Sequence, residues 1–418
     1  MSVLILFVGL LIYAGYGMAG ILYLLAATGI TYLLGLLIPK NRWLMWVGVG
    51  LNALALTMLR LQGLLPVKLI AVMGISYFSL QSISYLVDIY RGNYAPEKRF
   101  LRFALYLTYL PHLFIGPIER YDVFAPRLFE QRVISMEGVL HGCARALWGG
   151  FKKLIIAARI GVIIGQIANA PDKYQGTYAL AAMLLYSLQL YADFSGGMDM
   201  VIGISEMLGI RMSENFDRPY FSQSVKEFWN RWHMTLGSWL RDYVYIPLGG
   251  NRTGKVRKVI NILVTFLVSG FWHGANYLLW GLVNGILVSF GNKLTTKNKT
   301  INRMITFVLI SLLWAFFIWP DTKTALQMTA SVVTVFNYGA FFSGIVAMGL
   351  SVGDWIVLAV ALVVLWQYDW HKQKIENWFC AHGAAAKTAV IGILAILVLV
   401  FGMYGIGFEA DDFIYSRF

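Results

Sequence analysis

Residues 271–274 read Phe, Trp, His, Gly and lie within an apolar run that spans 259–290. A histidine in a stretch suited to lipid is costly unless it faces a cavity or finds a partner. His273 is therefore a candidate for chemistry. Imidazole accepts a proton near neutral pH, which suits a general base. The alternative is a histidine hydrogen-bonded between two helices. Phe271 and Trp272 would keep its surroundings dry. Asn276, one turn on, could orient a substrate or polarise a carbonyl as an oxyanion donor.

A second constellation fills residues 226–252. Trp229, Asn230, Arg231, Trp232, His233, Trp239 and Arg241 combine aromatic and basic side chains. Such a surface serves equally as an interfacial anchor or as a site for an anionic acyl donor, because guanidinium reads phosphates well. A third group, Gln189, Asp193 and Asp199, places two carboxylates in an apolar run. They could bind a cation, orient His273 or close a polar network, and their spacing of six has no metal signature. The last is the tail, Phe413-Ile-Tyr415-Ser-Arg-Phe418. On its own it reads as a frayed end with aromatic anchors.

The elements that must position these groups are apolar. The 418 residues are 58% hydrophobic and 13% charged, with mean hydropathy +0.65. Soluble domains carry about 25% charged residues, so an all-α polytopic membrane protein is expected. Spans of about 20 apolar residues fit the bilayer, and the chain offers about ten to twelve transmembrane or re-entrant candidates. The net charge of +13 falls largely in loops. That distribution fits the positive-inside rule and argues against nucleic acid as a partner. Only Cys143 and Cys380 are present, so neither a disulfide framework nor a cysteine metal site is expected.

Glycines 15, 17 and 20 should divide the first apolar run, 3–38, and spans near 43–59, 67–87, 138–168 and 178–208 follow. Residues 211–258 carry nine Lys and Arg at positions such as Arg211, Lys226 and Lys258. They read as a cytoplasmic insert of amphipathic helices at the interface. The run 259–290 is flanked by basic residues on both sides, so it should enter and return, bending between Gly270 and Gly274. Such a broken helix needs a buried or cavity-lining place. Spans near 305–319, 344–366 and 388–404 complete the chain, and the acidic tail, 407–418, should lie outside. No internal repeat supports a transporter built from inverted halves.

Several ordered segments resemble the membrane-bound O-acyltransferase superfamily, in particular its alginate and bacterial polysaccharide O-acetylation proteins. They are residues 74–92 with Gln81, Tyr85, Asp88 and Arg91; residues 111–120 with Pro111, Pro117 and Arg120; Tyr191 to Gly196; Phe228 to His233 continuing to Asn251 and Arg252; and Phe271 to Ala275. Together they cover roughly residues 70–285 of a single integral-membrane domain.

The resemblance implies a helical membrane core around a central tunnel, with His273 as the essential histidine. It implies a multi-pass protein of a bacterial plasma or inner membrane, with an acyl thioester such as acetyl-CoA as co-substrate and no bound cofactor or metal. The acceptor would be a cell-envelope polysaccharide, reached through an extracellular SGNH-type acyltransferase or esterase-like partner. The ending also resembles the Phe-x-Tyr-x-x-Phe tail of surface-acylation systems, which makes Tyr415 an acyl carrier; Arg417 stands where relatives often have a neutral residue. His233, Arg231, Trp232, Arg241, Asn230, Gln189 and Asp193 would then line the donor side or tunnel. Two rivals are a D-alanyl transferase of teichoic acids fed by a carrier protein, and a non-catalytic transporter using His273 and Asp193 as relay residues.

Overall fold

The computed structural model describes residues 2–61, 72–129, 134–252, 254–339 and 343–404. Tyr415 and the tail expected outside lie beyond the described residues, as does part of the span expected at 67–87. Among the described residues the secondary structure is helical, apart from one isolated bridge between Phe216 and Trp232.

The N-terminal run breaks where glycine was expected to break it. Helix α1 (Ser2–Ala14) ends in a turn at Gly17, whose φ of 127° disfavours other residues, and α2 (Met18–Leu37) follows with Gly20 inside it. Next come α3 (Leu44–Arg60), α4 (Ile75–Arg91) and three short helices, α5 (Phe100–Leu107), α6 (Leu110–Phe114) and α7 (Tyr121–Phe129). These elements share one apolar core around Phe78, Tyr85, Phe103 and Tyr106.

Helix α8 (Met136–Gly150) passes through a π-helical segment, Phe151–Ala157, into α9 (Ala158–Asn169). It lies against α10 (Thr177–Met207), the longest helix of the second core. Small residues let the two backbones meet. A Cβ added at Gly142 would sit 2.4 Å from the Gly203 carbonyl oxygen, and one at Gly149 would sit 2.4 Å from that of Gly196. Charges between them are paired. Lys152 Nζ donates to Asp199 Oδ2 at 2.6 Å and to Ser195 Oγ at 2.8 Å, and Lys153 pairs with Asp193.

Part of the segment expected as an insert, 211–258, packs into the protein. Short helices α11 (Val225–Arg231) and α12 (Met234–Leu240) bury Phe228, Trp232 and Trp239. Trp232 stacks on Phe228, with ring centroids 5.4 Å apart, and meets Trp314 at 5.5 Å. Its aromatics are core, because an indole gains more from several ring partners than from a headgroup layer.

Then α13 (Lys255–His273) and α14 (Leu278–Phe290) form a helical hairpin, followed by α15 (Lys299–Leu313), α16 (Ala315–Ile318), α17 (Thr322–Thr334), α18 (Val352–Ala381) and α19 (Ala384–Phe401). Four segments, Met18–Leu37, Lys299–Ile318, Val352–Ala381 and Ala384–Phe401, are long and apolar enough to cross a bilayer; three shorter apolar helices accompany them. The outward faces of α18 and α19 expose Val360, Val363, Ile393, Ile396 and Leu399. That surface suits contact with acyl chains.

Candidate active site

The α13–α14 hairpin fixes His273. Gly274 ends α13 at φ 147°, a conformation L-residues rarely adopt, and a 3-10 turn, Ala275–Tyr277, leads into α14. The two helices close tightly below the turn. A Cβ at Gly270 would come within 2.5 Å of the Tyr277 carbonyl oxygen, and one at Gly281 within 2.3 Å of that of Phe266. The expected bend between Gly270 and Gly274 is thus present, with His273 on its last helical turn.

The imidazole is 6% exposed and boxed by rings. Trp272, Phe317 and Trp280 stand with centroids at 4.7, 5.3 and 5.5 Å. Water is largely excluded there, so charge that develops beside the ring is weakly screened.

His233 sits in the loop between α11 and α12, with a left-handed φ of 47° that is strained for a side-chain-bearing residue. Asn215 secures this loop. Its backbone carbonyl accepts from Met234 N–H at 3.0 Å, and its Oδ1 accepts from Thr235 N–H at 3.0 Å and from Thr235 Oγ1 at 2.9 Å. A backbone N–H can only donate, so that side-chain atom is the oxygen. His233 Nδ1 lies 3.2 Å from the same atom and therefore carries the proton, leaving Nε2 as the basic nitrogen. Burial holds this imidazole down at about 3, so it works as a neutral group.

Both histidines line one cavity of about 710 Å³. Asn230, Trp232, Trp280 and Trp314 share its wall with them, and Lys226, Arg241, Tyr245, Asn251, Lys255 and Lys258 also line it. Lys255 opens α13 and His273 closes it, so they stand about 27 Å apart along a helix rising ~1.5 Å per residue. The cavity thus joins a basic region to a dry aromatic one. This arrangement fits a long ligand with phosphates at one end and a reactive carbonyl at the other.

Other expected site residues lie elsewhere. Asn276 is exposed on the hairpin turn and does not line the cavity. The helix ends at Gly274, so the one-turn spacing to His273 no longer holds, and the oxyanion role has no geometric support. Arg231 is engaged by Glu227 at 2.8 Å and Asp217 at 3.9 Å and does not line the cavity. Gln189 is buried against Gly161 of α9. Asp193 belongs to the polar network between the π-helical segment and α10, not to the cavity. Sequence reasoning did not single out Asn215, Trp280, Trp314 or Phe317. The three aromatics lie beyond the motif-bearing stretch or look like ordinary span residues, and the polar contact of Asn215 depends on the path of a loop. Among the described residues no cluster of three or more His, Cys, Asp or Glu could hold a metal ion.

Residues 97–319 match the profile of the membrane-bound O-acyltransferase family, more than half of the chain. The chain belongs to the membrane-bound O-acyltransferase family. It is 38% identical over 315 residues to the probable alginate O-acetylase AlgI of Pseudomonas fluorescens, a match spanning 73% of this chain and 61% of that protein. It is 33% identical over 301 residues to the peptidoglycan O-acetyltransferase of Helicobacter pylori, spanning 63% and 57%. The teichoic acid D-alanyltransferase of Bacillus subtilis is 31% identical over 275 residues, spanning 60% and 68%. The chain covers about three fifths of the length of the alginate and peptidoglycan relatives. The MBOAT region begins at the loop before α5 and ends just after α16. It therefore contains both histidines, Asn215 and every residue that lines the cavity.

Proposed function

We propose that this MBOAT protein moves an acyl group, acetyl in the simplest case, from a cytoplasmic thioester to a hydroxyl on the far side of the membrane, for O-acylation of a cell-envelope polysaccharide. The observation that carries this reading is the single cavity linking lysine and arginine side chains to His273. The names of the relatives supply the chemistry: alginate and peptidoglycan O-acetylation.

In this reading the donor enters with its phosphates near Lys226, Arg241, Lys255 and Lys258. Its pantetheine arm runs along α13 and brings the thioester carbonyl to His273. The imidazole takes the proton of the acceptor hydroxyl as its oxygen adds to the carbonyl carbon. The tetrahedral intermediate collapses, the carbon–sulfur bond breaks, and the imidazolium returns its proton to the departing thiolate. Tyr415 is the proposed first acceptor. A phenol of pKa ~10 yields its proton to a base more readily than an alkyl alcohol, and its ester is reactive enough to pass the group on to an SGNH-type partner acting on the glycan. His233, neutral and presenting Nε2 to the donor side, positions the thioester.

The test uses purified protein with acetyl-CoA labelled in the acetyl group. Label on Tyr415, absent in Tyr415→Phe, supports the carrier step. Release of CoA with no label on Tyr415 would reject the carrier while keeping the transfer. Turnover only with a D-alanylated carrier protein would assign the chain to the teichoic acid branch.

A further inference from the structure

A second cavity, of about 260 Å³, lies between α8, α10, α18 and α19 and shares no lining residue with the donor cavity. Its α18 and α19 wall falls outside the family region, 97–319. Most charges that line it are already paired. Arg145 binds Asp199 and Glu214, Lys152 binds Asp199, His141 binds Glu206 and Arg218 binds Asp217. Two groups on α18 are held less well. Asp369 is 7% exposed, and its carboxylate accepts one hydrogen bond among the described residues, from Tyr191 Oη at 2.9 Å. It forms no ion pair with any of them. Lys372 Nζ lies 3.8 Å from Glu376 Oε1, beyond hydrogen-bond length. A buried carboxylate without a cation is costly, and an N–H donor entering the cavity would relieve it.

Position along α18 narrows the ligand. The helix is apolar from Ile356 to Trp366, and polar residues begin at Gln367. Asp369 and Lys372 therefore stand where hydrocarbon gives way to headgroups, beside the stacked rings of Trp366 and Trp370. They are three residues apart on one helix, which separates their Cβ atoms by about 5–6 Å. That spacing matches the ammonium and phosphate of a phosphoethanolamine. Trp148 and Tyr368, with ring centroids 4.3 Å apart, also line the cavity, and aromatic faces attract ammonium groups. The rest of the wall is apolar. Ile375 lines it and is 37% exposed, so the cavity reaches the surface there. Val390 and Leu394 lead from it along α19, whose Ile393, Ile396 and Leu399 are exposed.

We propose that this cavity seats the headgroup of a membrane phospholipid that carries a primary amine. The ammonium donates to Asp369, a charge-assisted bond, and the phosphate draws Lys372 from its loose contact with Glu376. The acyl chains follow the apolar side of α19 into the bilayer. A lipid whose headgroup lacks an amine leaves Asp369 unpaired and adds a negative charge beside it. The site holds lipid, takes no part in acyl transfer and is independent of the function proposed above.

The experiment is native mass spectrometry of the full chain in detergent, equilibrated with equal amounts of phosphatidylethanolamine and phosphatidylglycerol of identical acyl chains. Wild type should retain the ethanolamine lipid about tenfold more often, the effect of one hydrogen bond to a charged group. Asp369→Asn still accepts the Tyr191 hydroxyl and should bring the two lipids close to equal. Equal retention by wild type, or a preference that survives in Asp369→Asn, overturns the proposal. Should Asp369→Asn fail to fold, Val390→Trp provides the reading by filling the apolar wall. A severalfold loss of the ethanolamine lipid is then expected, and unchanged retention overturns the site. Water-soluble glycerophosphoethanolamine, added at the lipid's concentration, checks the source of the headgroup. It should leave the lipid in place; displacement would show that the apolar wall contributes nothing and would overturn the assignment to a lipid.

Discussion

His273 and His233 share a cavity but differ in what holds them. His273 is gripped by rings, whereas His233 has, besides the ring of Phe194, the amide oxygen of Asn215 on its Nδ1. Asn215→Leu removes the acceptor that keeps the proton on Nδ1, and the free imidazole can then present the wrong nitrogen. Turnover should fall about 10- to 100-fold, the range seen when metal-bound histidines lose their orienting partner. Asn215→Asp keeps an acceptor and should retain most activity. Equal rates for wild type and Asn215→Leu, measured as CoA release, would show that the His233 tautomer is irrelevant. His273 could be read from the sequence because a titratable group inside an apolar run needs a reason. Asn276 lies off the cavity because spacing along a helix no longer applies once the helix has ended at Gly274. The carboxylate partners of Arg231, Glu227 and Asp217, were not legible, because net charge is visible in a sequence while ion pairs are not.

Two close helix contacts keep these residues in place, one between α13 and α14 and one between α8 and α10. Both depend on missing side chains. Gly203→Val would push β-branched bulk into the Gly142 backbone, and overpacking of this kind costs about 1–3 kcal/mol. The variant should melt lower in detergent, whereas Gly29→Ala, where a Cβ meets nothing within 4 Å, should not. Equal melting of the two variants would remove the close-packing argument. Lys153→Met tests the charged layer of the same helix pair. It leaves Asp193 without its cation, and breaking a buried pair costs about 3–5 kcal/mol. The double variant Lys153→Met, Asp193→Leu should recover most of the loss in a thermal melt. The bend at 270–274 was legible, since basic flanks on both sides force a return. The inward path of α11 and α12 was not: their aromatic–basic pattern is the same for an interfacial helix and for a core element lining a charged cavity.

Across the whole molecule, charged and apolar surfaces fall on different elements. Exposed apolar side chains cover α18 and α19, and Lys255 and Lys258 of the cavity lie where α13 begins. If those lysines receive the donor's phosphates, Lys255→Ala with Lys258→Ala should raise KM for acetyl-CoA about tenfold and leave kcat nearly unchanged, which is loss of uniform binding. An equal fall in kcat would place them in the chemical step instead. The all-helical membrane architecture was legible from composition alone. The number of spans was not, because hydropathy counts apolar runs regardless of where they pack. Helix α4 buries Ser76, Ser79, Gln81, Ser82 and Asp88 within the protein, whereas α19 turns most of its surface outward.

Single-turnover transfer from labelled acetyl-CoA, compared between wild type and His273→Ala at equal folded fraction, probes the general-base role most directly. The cavity geometry predicts that the variant still binds donor but releases CoA at least 100-fold more slowly, the low end of what a positioned base contributes. Donor binding and CoA release at the wild-type rate in His273→Ala would contradict it.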